Sequence, residues 1–380
     1  MTVAHKLHSQ QLTIGSGART FFGSGSIAKL AGEVLELGAT KVFVVTDKGV
    51  VASGLCASIT ALLVEHGLEV EVYSDLRPNP GIGDIEAGAR ALRGPDGRVV
   101  LGLGGGTALD GAKAISLAAE NEGPIHDLDY RKKKRNPGLP VVAVPTTAGT
   151  GSETNSFAVI DDHEAHRKFY ASDDSVTPKV AILDPDLTLG LPPGATASTG
   201  IDVLTHSLES LMARSPNPFS HALALEAIEM AGRWLPVAVE DGGNVEARAQ
   251  MLLAAHMAGL AFANTGLGLA HALGHTLSAH LGTVHGVALA VVLPAVMELN
   301  EEARVAELGE AAVALDASAA PVAVRDLVRR IGMPSTLTEL GLTRDAVSRL
   351  VSDALDDVVL LNNPVQPTPE QLTALVESLL

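Results

Sequence analysis

The sequence predicts an α/β domain with a mainly parallel sheet followed by an all-helical domain, and three observations carry that expectation. Apolar, β-branched runs alternate with helical stretches through the first half of the chain. From Pro192 onward every patterned segment instead has helical spacing. The length, 380 residues, suits two units of about 150 to 200 residues each better than one core.

Taken in order, KVFVVTD (41–47), LEVEVYSD (68–75), VVLGLGGG (99–106), LPVVAVPTT (139–147) and KVAILDP (179–185) read as strands. ASGLCASITALLVEHG, IGDIEAGARALRG and ALDGAKAISLAAE between them read as helices. Strands this apolar need cover on both faces, which a parallel sheet wound with helices supplies. PPGATASTGIDVLTHSLESLMAR, FSHALALEAIEMAGRWLPVAVE, EARAQMLLAAHMAGLAFA, GLAHALGHTLSAHLG and GVALAVVLPAVMELN follow as helices. RDLVRRIG, RDAVSRLVSDALDD and PEQLTALVESLL extend the pattern to the C-terminus. The expected division is 1–188 and 189–380, with LGLPPGATAS (189–198) as the junction and the interdomain cleft as the place for a ligand.

A formal charge of −17 repels phosphate backbones and anionic bilayers, which argues against nucleic acid or a membrane as partner. The N-terminal MTVAHKLHSQ lacks the apolar core of a secretory signal. A single cysteine, Cys56, excludes an internal disulfide and a cysteine zinc site; the expectation is a soluble protein of the reducing cytoplasm. The basic run RKKKR (131–135) reads as a solvated loop before a strand.

Two polar turns fall at strand ends. In VVLGLGGGTALDGAKAI, Gly104, Gly105, Gly106 and Thr107 join a strand to a helix, so backbone N–H groups and the helix dipole can hold a phosphate. Thr107 stands where a third glycine of G-x-G-x-x-G would fall, so this is not the standard dinucleotide fingerprint. PTTAGTGSET (145–154) places Thr146, Thr147 and Thr150 after the next strand. Two such turns side by side favour a nucleotide.

The densest chemical signal lies between Asp202 and His285. Asp202 and His206 are four residues apart, as are His271 and His275, so each pair shares a helix face. His285 follows in the same apolar, glycine-spaced background. One carboxylate with three imidazoles can hold a divalent cation and leave a position open for a substrate oxygen.

Together, GGGTALDGAKAI, PTTAGTGSET, GIDVLTHSLE and GLGLAHALGHTL with the later VHG resemble the iron-containing alcohol dehydrogenase family, within the dehydroquinate synthase-like fold. The motifs, with DLRPNP (75–80) and the strand ending in VVTD, occur in the family's order across most of residues 40–300. The resemblance implies a dinucleotide-binding first domain, a helical second domain and one metal between them. It implies Asp202, His206, His271 and His285 as metal ligands and His275 as a non-ligand beside substrate and nicotinamide. It assigns Gly104, Gly105, Gly106 and Thr107 to the pyrophosphate, and Thr146, Thr147 and Thr150 to the second nucleotide segment. Asp47 matches the acidic position that accepts from the adenosine ribose hydroxyls and repels a 2′-phosphate, which implies NAD(H) over NADP(H). Asn79, Asp110 and Lys168 match further cofactor positions. Fe(II) is the implied metal, although the donor set also accepts Zn(II), Co(II) or Ni(II).

The implied reaction is hydride transfer between a small alcohol and its aldehyde or ketone, with the cation as Lewis acid and His275 relaying the proton. A homodimer or larger homo-oligomer is implied as well. Phe262 and His280 are candidates for the substrate pocket. Val284 replaces the family's proline before the last ligand, and Val365 stands where many relatives have arginine. His256, His163 and His166 match no ligand position and read as structural. A maleylacetate reductase-like enzyme is the nearer alternative. A dehydroquinate synthase-like lyase fits less well, because the 202–285 region lacks the lysines that would hold a substrate phosphate.

Overall fold

The computed structural model describes residues 14–15, 17–94, 97–162 and 167–380. His163 and His166 lie outside the described residues, as does the stretch 1–13. Among the described residues eight strands are formed: β1 (Arg19–Phe22), β2 (Lys41–Val45), β3 (Glu69–Tyr73), β4 (Arg98–Gly104), β5 (Val141–Pro145), β6 (Phe157–Asp162), β7 (Arg167–Ser172) and β8 (Val180–Leu183). Six of them make one sheet in the order β1-β8-β5-β4-β2-β3, and every neighbouring pair is parallel. The remaining two, β6 and β7, form an antiparallel hairpin.

From β2 the chain steps outward to β3 and then returns to place β4 on the other side of β2. That reversal opens a crevice beyond the strand ends, the place where open α/β sheets bind ligands. Register brings the ends level: Val45 pairs with Gly102, and Gly104 with Pro145. Asp47, the glycine turn and the threonine turn therefore leave the same edge of the sheet.

Five helices cover the sheet: α1 (Leu30–Glu36), α2 (Lys48–Ala52), α3 (Leu55–Glu65), α4 (Ile82–Leu92) and α5 (Gly106–Glu120). Strand periodicity divides the core in two. Phe43 and Val45 pack with Ile85, Ala89 and Ile115, whereas Val42 and Val44 pack with Leu30, Val34, Ile59 and Leu63. The elements with the faintest sequence signal are β1, α1 and the β6–β7 hairpin. Their runs are short or charge-bearing, and β1 exists because its backbone pairs with β8.

Nine helices follow: α6 (Pro193–Met212), α7 (Pro218–Glu240), α8 (Val245–Thr265), α9 (Leu269–Leu281), α10 (His285–Asn300), α11 (Val305–Ala314), α12 (Ala320–Arg330), α13 (Val347–Leu355) and α14 (Pro369–Ser378). α6 is buried at every position from Gly200 to Met212, so its polar residues must find partners inside the protein. Pro236 and Pro294 sit within α7 and α10 without ending either helix. Among the described residues no single helix is long and apolar enough to cross a membrane.

The two halves are tied across the cleft. His256 on α8 bonds Glu153 Oε1 at 3.0 Å through Nδ1 and meets Thr20 Oγ1 of β1 at 3.3 Å through Nε2. This accounts for a buried imidazole remote from the cation candidates.

Candidate active site

The sheet side of the cleft is lined by backbone. Gly104 has φ +147°, a conformation that L side chains rarely adopt, and its missing Cβ would lie 3.3 Å from Asp47 Oδ2. Gly105 caps α5, whose first turn carries no acidic residue, so its N–H groups and positive dipole end remain available to an anion. A Cβ on Gly105 would stand 3.1 Å from Thr147 Oγ1, and one on Gly106 would stand 2.6 Å from Thr150 Cγ2. The two polar turns thus form one continuous surface. Thr107 lies in the first turn of α5, and Thr146 is buried with its N–H on the Gly104 carbonyl at 3.0 Å.

Asp47 caps α2 through Oδ1, which accepts from the Gly49 and Val50 N–H groups at 2.8 and 3.0 Å. Asn79, at φ 53°, turns the chain between two prolines after β3. Asp110 is engaged inside the protein: Oδ1 pairs with Lys113 at 3.1 Å and accepts from Ser152, while Oδ2 accepts from the Val159 N–H at 3.0 Å. Lys113, fully buried, also donates to the carbonyls of Ser152, Asn155 and Phe157. That pair anchors the threonine turn to α5. Lys168 is paired with Asp161 at 2.5 Å.

The helical side is lined by side chains. α6, α9 and the first residue of α10 bring Asp202 Oδ1 to 3.6 Å from His206 Nε2, 3.6 Å from His271 Nε2 and 3.9 Å from His285 Nε2. These separations exceed hydrogen-bond length. Asp202 Oδ1 and His271 Nε2 are both buried without a hydrogen-bond partner. Donors about 2.1 Å from a tetrahedral centre stand about 3.4 Å from one another, so these unsatisfied atoms are spaced to share a cation. Donor atoms of Asp202, His271 and His285 all lie within 4.8 Å of one another. The cluster opens on one side: the side chain of His285 is 29% exposed, that of His271 1%. Gly286 makes the approach of α10 feasible, because a Cβ there would meet the Ser198 carbonyl oxygen at 2.0 Å.

Glu209, which spacing alone did not single out, completes the cluster from behind. It lies seven residues after Asp202, on the same face of α6. Its Oε2 holds His271 Nδ1 at 2.6 Å and the Gly268 N–H at 2.7 Å, and its Oε1 accepts from the Ala270 N–H at 2.6 Å. One buried carboxylate thereby caps α9 and orients a ligand candidate, leaving Nε2 toward Asp202. Burial works against charge on His271, but Glu209 and Asp202 outweigh it and raise its pKa to about 9. Burial lowers His206 to about 4 and pushes His285 down as well. Burial opposes ionisation of Asp202, yet the surrounding imidazoles hold its carboxyl well below the usual range.

The remaining candidates ring this cluster. Phe262 stacks on His206 with ring centroids 4.4 Å apart. His275 lies with its ring 5.3 Å from that of His285 and nearly parallel to it. His280 bonds Asp353 Oδ2 on α13 at 2.7 Å, which turns one ring nitrogen away from the cluster. Asp357 and Tyr170, which no motif indicated, both reach His275. The Val365 carbonyl accepts from the Asn363 side-chain amide at 2.6 Å.

A nucleotide-type crevice facing a buried, half-open cation cluster defines the class: a metal-dependent oxidoreductase with a nicotinamide cofactor. The family model described as iron-containing alcohol dehydrogenase matches residues 17–185. The model for the C-terminal part of the Fe-containing alcohol dehydrogenase family matches 196–380. Alcohol dehydrogenase 4 of Saccharomyces cerevisiae is 38% identical over 365 residues, covering 94% of this chain and 96% of that protein. The NAD-dependent methanol dehydrogenase of Bacillus methanolicus is 34% identical over 369 residues, covering 94% and 97%. A crystal structure of 1,3-propanediol oxidoreductase superimposes with a TM-score of 0.93 at 32% identity, covering 98% of this chain and 100% of that one. The chain belongs to the iron-containing alcohol dehydrogenase family. It is an NAD-linked enzyme of that family, interconverting an alcohol with its aldehyde or ketone.

Proposed function

We propose that Asp202, His206, His271 and His285 hold one Fe(II) ion, and that the enzyme passes hydride between a small primary or secondary alcohol and NAD(H). The observation that carries this is the unsatisfied Asp202 Oδ1 with three imidazole nitrogens 3.6 to 3.9 Å away. When bound, the cation supplies Lewis acidity toward a substrate hydroxyl and the nicotinamide supplies the hydride acceptor. Ionised Asp202 and the neutral His206 and His285 are ready donors at neutral pH, whereas His271, with a pKa of about 9, gives up a proton as the cation binds. His285, on the open side, sets the direction from which substrate arrives. Phe262 stiffens His206 from behind as one wall.

Gly104, Gly105, Gly106 and Thr107, with Thr146, Thr147 and Thr150, cradle the cofactor's pyrophosphate and nicotinamide side; the resemblance also assigns Asn79, Asp110 and Lys168 to the cofactor, Asp110 acting through the threonine turn that it and Lys113 anchor. Support for NAD(H) over NADP(H) is Asp47, whose Oδ2 is not used in capping α2. His275, at the rim of the cluster, carries the substrate's proton outward, and His280 lies one turn beyond.

The position of β1 at the sheet edge among the described residues, with Phe22 exposed, supports assembly as a homodimer or larger homo-oligomer. A single free cysteine supports residence in the reducing cytoplasm. The deciding experiment measures bound iron and zinc by elemental analysis, then NADH formation on a panel of small alcohols after reconstitution with each metal. Stoichiometric metal with NADH production on some alcohol is expected. Full metal loading with no turnover in either direction would leave only a binding protein.

A further inference from the structure

His275 is held by residues from two other parts of the chain, and their arrangement decides which of its nitrogens is free. Its Nδ1 stands 2.8 Å from Asp357 Oδ2. Asp357 is itself pinned: Oδ1 accepts from the Val359 N–H at 3.1 Å and from the Tyr170 hydroxyl at 3.4 Å. The Tyr170 oxygen is also 3.2 Å from His275 Nδ1, so hydroxyl, carboxylate and imidazole form one closed triangle. Tyr170 is on β7 of the first half, His275 is on α9, and Asp357 follows α13. The titratable rings beside it are those of His271 and His285, at centroid distances of 5.9 and 5.3 Å, and the Lys168 ammonium lies close enough to act on His285.

An ionised carboxylate accepts only, so Nδ1 must donate and carry the ring hydrogen of neutral His275. The lone pair then resides on Nε2, the nitrogen left over. We propose that Asp357, assisted by Tyr170, is the positioning residue that locks His275 in this tautomer. The proposal rests on the reading of His275 as the proton carrier. In the step it serves, the substrate O–H bond breaks and an N–H bond forms at Nε2. The Nδ1–H stays in place, Asp357 stabilises the imidazolium, and the hydride leaves carbon for NAD⁺. Because Tyr170 comes from the nucleotide half, the lock is complete only when both walls of the cleft are in contact.

The test uses the metal-loaded enzyme and the variants Asp357→Asn, Tyr170→Phe and His275→Ala. Asp357→Asn is expected to lower kcat by about tenfold or more, with KM for the alcohol and metal content near wild type. Tyr170→Phe, which removes one hydroxyl, is expected to lower kcat about threefold. In the His275→Ala background Asp357→Asn should cost nothing further, since a residue acting through His275 has nothing left to position. In ¹⁵N-histidine-labelled protein, Asp357→Asn should shift the His275 signals toward a mixture of tautomers. Equal losses from Asp357→Asn in both backgrounds, or a loss that tracks metal content or melting temperature, would overturn the proposal. Normal turnover by His275→Ala would remove the proton-carrier reading itself. Loss in His275→Ala with normal Asp357→Asn would remove only the positioning role.

Discussion

On the sheet wall of the cleft, the groups that meet a ligand are backbone N–H donors and threonine hydroxyls, arranged where added Cβ atoms would collide with Thr147 or Thr150. On the helical wall they are buried side chains, with Asp202 Oδ1 and His271 Nε2 left unsatisfied in the protein's interior. A backbone cradle tolerates many sequences as long as nothing projects into it. A side-chain cluster depends on each residue and on whatever aims it. Substitutions on the two walls should therefore separate cofactor binding from metal binding.

His271→Ala is the most severe break: metal content and turnover should vanish together in elemental analysis and NADH assays, while NADH binding by fluorescence persists. Glu209→Gln leaves all four donors in place and removes the charged partner of His271 Nδ1. Its metal dissociation constant, measured by chelator competition, should rise about 10- to 100-fold. A larger structural role for Glu209, capping α9, would show as a lowered melting temperature even with metal saturating.

The proton balance of the same cluster gives a third test. In the metal-free protein the His271 pKa is about 9, so below that pH the ring carries both protons and a metal must displace one from Nε2. His206, at about 4, is already neutral at pH 7. Metal affinity should therefore rise about tenfold per pH unit from neutrality toward pH 9 and then level. Calorimetry in buffers of different ionisation enthalpy at pH 7 should report close to one proton released, and release of none would contradict the Glu209 pairing.

On the other wall, Gly105→Val places methyl groups against Thr147, in a backbone conformation (φ −80°) that valine accepts. KM for NAD⁺ should rise about tenfold, worth roughly 1.4 kcal/mol, with metal content unchanged. The smallest effect expected is at Val284, whose φ of −58° suits proline. Val284→Pro should stabilise the protein by about 0.4–1 kcal/mol through the unfolded chain, seen as a small rise in Tm. A fall instead would show that the family's proline at this place requires a different path before His285.

How much was legible differs between the walls as well. The i, i+4 spacing of Asp202 with His206 and of His271 with His275 names chemistry and face at once, because the helix repeat is local. Glu209 shares that face, seven residues from Asp202, yet spacing did not single it out, because its role depends on reaching His271 Nδ1 on another helix. Asp357 was not, because it meets His275 from 82 residues away. Tyr170 lies on a hairpin whose strands have little apolar alternation, and 105 residues separate it from His275. His280 carries the right residue type, and only packing shows that its Nε2 faces Asp353.

By itself the sequence determined the alternation of strand and helix, the helical second half, the two polar turns and the spacing of the ligand candidates. All of these are properties of the chain within a few turns of itself. The tertiary structure alone decided that β2 and β4 flank the crevice, that α10 starts against α6 and that His271 and His275 each face a particular carboxylate. Those outcomes depend on close packing between segments far apart in the chain, where Gly286 against the Ser198 carbonyl or Tyr170 against Asp357 fixes positions that no local repeat encodes.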